Sequence, residues 1–235
     1  MAHVEYRSWL RLIKTIAARY LGTSSVSIVE VGGGTAALGR MLRAGGFTYR
    51  GSDFSFAMCR EALKKGLSFF CADARHLPLK TTFDFIVFLY DGINYLLEDD
   101  DYALFFGEAC RCLRPGGLLL FDVTTEANSL KHFYDFLDHE DFGDYSYVRH
   151  SYYEPKSQNQ YNDFTIFLRD NNNPRLLFEK RVERHVQRVL SVGDIRRLIP
   201  EALFAVVGVW DSFSFKRYAP RSERIHFLLR KKVPR

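Results

Sequence analysis

The sequence has no apolar run long enough to cross a membrane. Apolar stretches such as Phe83 to Tyr90 and Leu118 to Phe121 fall far short of the roughly 20 residues a spanning helix needs. No basic segment followed by an apolar one opens the chain, so no secretion leader is expected and the cytoplasm is the default location. The four cysteines, Cys59, Cys71, Cys110 and Cys112, show neither CxxC spacing nor the density of a disulfide scaffold, and are expected to be buried free thiols. No group of histidines, cysteines and acids has ligand spacing, so no metal is expected. There is no internal repeat and no low-complexity linker. The net charge of +5 is mild, and its densest source is Arg230-Lys231-Lys232-Val233-Pro234-Arg235. A terminal run of that kind is ordinarily solvated, and without a basic stripe or an RNA-binding module nucleic acid is not an expected partner.

What is present fits one domain with an embellishment: 235 residues, 47% hydrophobic and 26% charged, enough to bury one substantial α/β core. Trp9, Leu10, Ile13, Ile16 and Ala17 recur at helical spacing between Tyr6 and Tyr20. Short apolar runs then alternate with helical patterns: strands over Val26–Val31, Phe47–Ser52, Leu67–Cys71, Phe83–Leu89 and Leu118–Val123, with helices over Ala36–Ala44, Phe56–Lys64 and Tyr102–Leu113. Such a rhythm implies a parallel sheet between helices, with ligands beyond the carboxyl ends of the strands. From about Asn128 it changes. Tyr145–Glu154, Gln160–Asp170 and Arg175–Leu190 alternate polar and apolar residues, joined by turn formers at 155–159 and at Asn171-Asn172-Asn173-Pro174. They read as an antiparallel meander, after which a helix near Val192–Ile199 and strands near Leu203–Val209 and Arg224–Leu229 resume the core. The expected organisation is a Rossmann-like core over 1–127, with an N-terminal helix, an insertion over 128–190, and the rest of the core over 191–235.

The most informative segment is Ser27-Ile28-Val29-Glu30-Val31-Gly32-Gly33-Gly34-Thr35-Ala36-Ala37, a strand, a tight glycine turn and a helix start. Without a Cβ, glycine backbone can approach a ligand closely. Gly32, Gly34 and Ala37 also satisfy the dinucleotide fingerprint, with Asp53 near the distance of a ribose-binding acid, so a dehydrogenase reading stays open on the turn alone. Glu30 shifts the balance. A carboxylate two residues before the first glycine would repel a pyrophosphate on the helix N-terminus and welcome a cationic amino group. S-adenosylmethionine has that amino group and no phosphate.

Glu30-Val31-Gly32-Gly33-Gly34-Thr35-Ala36 resembles the acid-x-Gly-x-Gly-x-Gly signature of class I methyltransferases, with Ala36 in place of the last glycine. Gly51-Ser52-Asp53-Phe54-Ser55 is similar to the end of that family's second strand, which implies that Asp53 grips both ribose hydroxyls, as a two-oxygen acceptor can. Cys71-Ala72-Asp73-Ala74 resembles its third-strand segment, which implies that Asp73 accepts from the adenine amino group and the Ala74 amide meets the ring. Leu113-Arg114-Pro115-Gly116-Gly117 resembles the helix stop before the fifth strand. The resemblance covers about residues 26–125 well and 190–231 loosely. It implies a Rossmann-like seven-stranded, mostly parallel sheet with a reversed last strand, plus the inserted meander, and S-adenosylmethionine as cofactor. Phe54 and Leu89 count among the expected cofactor neighbours, as do Gly32, Gly33, Gly34 and Glu30.

On the acceptor side, Tyr90-Asp91-Gly92-Ile93-Asn94-Tyr95-Leu96 resembles a segment of small methyltransferases that carry an insertion over the site. The tetrapeptide of Asn or Asp, Pro-Pro and an aromatic, which marks base N-methylation, is missing. Methyl transfer is an in-line displacement, so alignment and exclusion of water are the main demands on the enzyme. Asp91 is a candidate to orient or deprotonate an acceptor. Asn94 and Tyr95 are candidate acceptor contacts, and Tyr90 a cofactor neighbour. In the insertion His150 and Tyr152 share one strand parity, while Glu183, His185 and Gln187 share another on a later strand. Either row is free to face the cofactor, which makes His150 and His185 candidate bases and Tyr152 a candidate acceptor contact. Tyr6 and Trp9 are candidates to close over the cofactor. The expected activity is methyl transfer to N, O or C of a small molecule. The alternatives are a protein or RNA acceptor on the same fold, and a cofactor-binding module without catalysis.

Overall fold

The computed structural model describes residues 5–22, 25–170 and 177–233. The expected turn at 171–174 lies outside the described residues. Helix α1 (Tyr6–Tyr20) buries Trp9, Leu12, Ile13, Ile16 and Ala17 along one stripe, so Leu12 takes the inward place expected of Leu10. Strands β1 (Ser27–Val31), β2 (Thr48–Asp53), β3 (Phe69–Cys71), β4 (Phe83–Phe88) and β5 (Leu113–Thr124) follow, with helices α2 (Ala37–Ala44), α3 (Phe56–Lys64) and α4 (Asp99–Cys112) between them. A short helix α5 (Glu126–His132) leads into β6 (Asp135–Asp141), β7 (Tyr145–Glu154), β8 (Asn159–Arg169) and β9 (Phe178–Arg188). The chain closes with α6 (Val192–Leu198), β10 (Phe204–Asp211) and β11 (Arg224–Lys231).

The main sheet has seven strands in the order β10-β11-β5-β4-β1-β2-β3. Strands β1 to β5 run parallel, whereas β11 lies antiparallel between β5 and β10. The apolar runs are continuous because both faces are covered. Ile28, Phe85, Val87, Leu118, Leu120 and Leu228 pack against α1, α2 and α3. Their strand neighbours Val29, Ile86, Leu119, Phe121, Phe227 and Leu229 pack against α4 and α6. The chain moves outward from β1 through β2 to β3 and then returns to place β4 on the other side of β1. That reversal opens a crevice at the carboxyl ends of β1 and β4, where ligands of such sheets bind.

The insertion is a separate four-stranded antiparallel meander, β6-β7-β8-β9. It has one strand more than the sequence pattern implies, because β6 (DFLDHED) carries no alternating apolar row. The register puts Ser151 opposite Asn162 and Asn162 opposite His185, while His150 lies opposite Asp163 and Asp163 opposite Arg184. His185 and Gln187 therefore share one face of this sheet, and His150 and Tyr152 the other.

Candidate active site

The glycine turn follows β1 directly. Gly32 and Gly34 have φ of +66° and +55°, the left-handed region that glycine enters without penalty. A Cβ on Gly32 would come 2.9 Å from the Phe88 ring, and one on Gly33 would come 2.9 Å from the Glu30 carboxylate, whereas a Cβ on Gly34 would enter open space. The first two glycines thus serve close packing, and the third faces open space. The Gly33 amide donates to the Ser52 carbonyl (2.8 Å) and the Gly34 amide to the Asp53 carboxylate (2.8 Å), which pins the turn to the end of β2. Ala36, where the family has glycine, adopts φ +57°. The backbone there keeps the glycine conformation even though the residue has changed.

Glu30 lies beneath this turn, 1% exposed. The Tyr49 hydroxyl donates to its carboxylate at 2.6 Å, and among the described residues no cation pairs with it. Burial pushes its pKa up to about 7 against the relief given by Tyr49. Burial, and secondarily the Glu30 charge, also raise the phenols of Tyr6 and Tyr90. These two rings meet edge to face at 5.7 Å, and Trp9 closes on Tyr90 at 5.2 Å. The Tyr90 hydroxyl is buried without a hydrogen-bond partner. Among the described residues a buried carboxylate with no cation stands beside an unpartnered hydroxyl, an arrangement that is costly unless a ligand supplies the partners. Both groups suit the charged amino-acid end of S-adenosylmethionine, so the residues present fit that cofactor.

On the other side of the turn, the Asp53 carboxylate accepts from the amides of Gly34 and Ser55, both at 2.8 Å. Each oxygen takes one donor here and keeps a further acceptor direction. Ser55, not Asp53, caps α3. Phe54 stands 75% exposed next to it, while Leu89 is buried. Asp73 is clamped by Arg75, whose backbone amide and guanidinium make four contacts of 2.6 to 3.1 Å to its two oxygens. Arg75 also bridges to Asp101 at 2.6 Å. Its hydrogen bonds hold the Asp73 carboxyl below its ordinary range. An adenine amino group would have to share Asp73 with Arg75, whereas Ala74 is only half buried.

The segment after β4 is strained. Tyr90 and Asp91 are consecutive non-glycine residues with φ of +59° and +51°, a conformation costing about 1 to 3 kcal/mol per residue and concentrated at functional sites. Asp122, fully buried on β5, fixes it: its carboxylate accepts from the Asp91 amide at 3.0 Å and is paired with Arg224 of β11. Arg224 reaches the Asp91 carboxylate as well (2.9 Å). Two acids thus share one arginine, and burial raises both carboxyls against the pull of that cation. The insertion supplies the remaining bond, from the Gln187 side-chain amide to Asp91 (2.7 Å). Behind it, Gln160 donates to Gln187 (3.3 Å) and the Ser129 hydroxyl donates to Gln160 (2.6 Å).

Tyr95 is 48% exposed at the mouth, its hydroxyl 3.4 Å from the His185 ring nitrogen. Burial, then the charges of Asp91 and Asp53, push its phenol up to about 12, so it stands within the field of both carboxylates. His185 meets the Phe164 ring edge to face at 5.5 Å. The structure therefore gathers Glu30, Tyr6, Tyr90, Asp91, Tyr95 and His185 around one crevice. It does not gather all the residues expected there. Asn94 is fully buried and both ends of its amide are used, donating to the Arg188 carbonyl (2.8 Å) and accepting from the Thr124 amide (3.2 Å). It fastens the insertion to the core and has no group free for an acceptor. His150 and Tyr152 lie on the far face of the insertion, where His150 pairs with Asp135 (2.8 Å) and Tyr152 stacks on Tyr161 (4.8 Å). Strand alternation turns them away from Asp91 and removes them from the site. The thiols also differ from expectation, since Cys71 is exposed and Cys110 only partly covered. Asp122 and Arg224 were missed altogether. Asp122 breaks an apolar run of β5, which is a signal, whereas Arg224 opens β11 directly after Glu223 and breaks no such run.

A crevice at the switch point of a mostly parallel sheet, bordered by a buried acid and a glycine turn, places the chain in the Rossmann-like class of folds. Residues 28–117 match a family model described as a methyltransferase domain. A protein of Geobacillus sp. (strain WCH70) with the provisional name of methyltransferase is 26% identical over 98% of this chain and 95% of its own. Among solved structures, a S-adenosylmethionine-dependent methyltransferase from Clostridium acetobutylicum ATCC 824 superposes with a TM-score of 0.84 at 22% identity, over 99% of this chain and 94% of that one. A sugar N-methyltransferase from Streptoalloteichus sp. ATCC 53650 does so with a TM-score of 0.75 at 17% identity, over 98% and 88%. Over nearly its whole length the chain has the fold of these methyltransferases, and its residues 28–117 match the methyltransferase-domain model.

Proposed function

We propose that this chain transfers the methyl group of S-adenosylmethionine to a nitrogen of a small-molecule acceptor. The observation that carries the cofactor half is Glu30, a buried carboxylate beneath a glycine turn with no cation among the described residues. When bound, the cofactor supplies a methyl group on a cationic sulfur, which is electrophilic without further activation. Glu30 receives the ammonium end, and Tyr6 and Tyr90 cover it. Gly32, Gly33 and Gly34 let the backbone approach, and Asp53 accepts from the ribose hydroxyls. Phe54, Leu89, Asp73 and Ala74 surround the base.

On the acceptor side, Asp91 holds its carboxylate in place through Gln187 and Arg224. Burial makes it a stronger base than an ordinary aspartate. It orients an amine and takes up the proton that the amine sheds. Tyr95 and His185 form the polar rim, and the inner face of the insertion excludes water. The Streptoalloteichus neighbour is a sugar N-methyltransferase by its description, which agrees with a nitrogen acceptor.

The test is a panel of amines, amino sugars, phenols and carboxylates incubated with enzyme and S-adenosylmethionine, reading release of S-adenosylhomocysteine. Turnover is expected among the amines. Turnover confined to phenols or carboxylates contradicts the nitrogen assignment. Cofactor binding with no turnover on this panel, nor on peptides or RNA, contradicts catalysis itself.

A further inference from the structure

Two thiols flank the strand end proposed to hold the adenosine. Cys59, buried in α3, donates to the Asp53 carbonyl at 3.3 Å and to the Phe70 carbonyl at 3.5 Å. Cys71, exposed at the end of β3, donates to the Phe54 carbonyl at 3.3 Å. Asp53 and Cys71 are direct partners in the β2–β3 pairing. The two sulfurs thus sit against the carbonyls of consecutive residues, Asp53 and Phe54, at one strand end. Cys110 and Cys112, two residues apart on α4, point to different sides of their helix.

A buried thiol alone is inert, and an exposed one alone proceeds to higher acids. An accessible thiol beside a resolving one closes to a disulfide. We propose that Cys59 and Cys71 are an oxidisable dithiol that a peroxide closes to a disulfide, loosening the adenosine end of the cofactor site. The Cys71 thiolate attacks one peroxide oxygen, and the hydroxide that leaves takes up a proton to become water. The Cys59 sulfur then displaces the hydroxyl from the Cys71 sulfenic acid, and a second water leaves. Two thiols and one hydrogen peroxide give one disulfide and two waters, with two electrons passing from sulfur to oxygen.

An S–S bond of about 2.05 Å draws both sulfurs off their carbonyls, so Asp53 and Phe54 lose these donors. Asp53 also holds the Gly34 and Ser55 amides, and its displacement is carried into the glycine turn. The expected effect is a loss of about tenfold in S-adenosylmethionine affinity, equivalent to roughly 1.4 kcal/mol. This consequence rests on the proposed cofactor site, while the disulfide itself does not.

The experiment treats the reduced full chain with stoichiometric hydrogen peroxide, maps cross-linked peptides by mass spectrometry, and titrates S-adenosylmethionine before and after, then again after dithiothreitol. A Cys59–Cys71 cross-link within one chain is expected, with the affinity loss reversed by the reductant. Cys71→Ser, a change at an exposed position, is expected to keep its affinity through the same treatment. Oxidation of Cys71 to sulfinic acid without a cross-link overturns the proposal, as does a cross-link that leaves affinity unchanged. If the reduced chain binds no S-adenosylmethionine, the proposed function fails, and the peptide map still decides whether the dithiol exists.

Discussion

Glu30 is costly to the fold at the pH where the proposed ligand needs it. Its pKa is about 7 in the folded chain against an ordinary 4.5, so between those values the folded state holds the proton and the unfolded chain does not. The stability this confers is complete below pH 4.5 and is lost as the pH rises through 7. At pH 8 the ionised carboxylate costs roughly 3 kcal/mol, which an incoming ammonium offsets. Glu30→Gln is therefore expected to melt higher than the wild type at pH 8 but not at pH 5, and to lose affinity for S-adenosylmethionine. Melting curves that differ equally at both pH values would count against this reading. Gly34 separates folding from binding in a second way. Alanine there meets open space but keeps φ +55°, at a cost of roughly 1 to 2 kcal/mol. Gly34→Ala is expected to fold, with a modest loss in urea stability, and to bind the cofactor much more weakly because the methyl enters the space proposed for it. Wild-type affinity in a calorimetric titration would remove that space from the cofactor site.

The elements are joined by polar residues far apart in the chain. Arg224 of β11 neutralises Asp122 of β5 and Asp91 after β4, while Gln187 and Asn94 tie the insertion to the same turn. Removing one partner of a buried charge cluster costs about 3 to 5 kcal/mol. Arg224→Met is expected to lose stability on that scale in denaturant unfolding. Adding Asp122→Asn is expected to restore part of it, because one uncompensated charge is then gone. A double variant no more stable than the single one would contradict the charge argument. These ties were the least legible part of the sequence. The acid-glycine turn, Asp53 and the strand rhythm could be read because they are local. Asp122 and Arg224 acquire meaning only when β11 inserts between β5 and β10. Parity alone grouped His150 with Tyr152 and His185 with Gln187, but only the register and docking of the meander decided which row faces Asp91. Asn94 was misread for a related reason, since its partners, Thr124 and Arg188, come from a core strand and an insertion strand.

At the scale of the whole molecule, the sheet reversal between β1 and β4 brings together three buried or partly buried acids, of which Asp91 and Asp122 share Arg224 while Glu30 pairs with no cation among the described residues. The crevice therefore carries an excess of negative charge before anything binds. A sulfonium and an ammonium reduce that excess, whereas a diphosphate adds to it. The choice between the two cofactors that the glycine turn admits is thus electrostatic, and one titration decides it. In parallel calorimetric runs at pH 8 the reduced chain is expected to bind S-adenosylmethionine at one site per chain and to give no heat of binding with NAD. Binding of NAD without binding of S-adenosylmethionine would contradict the account.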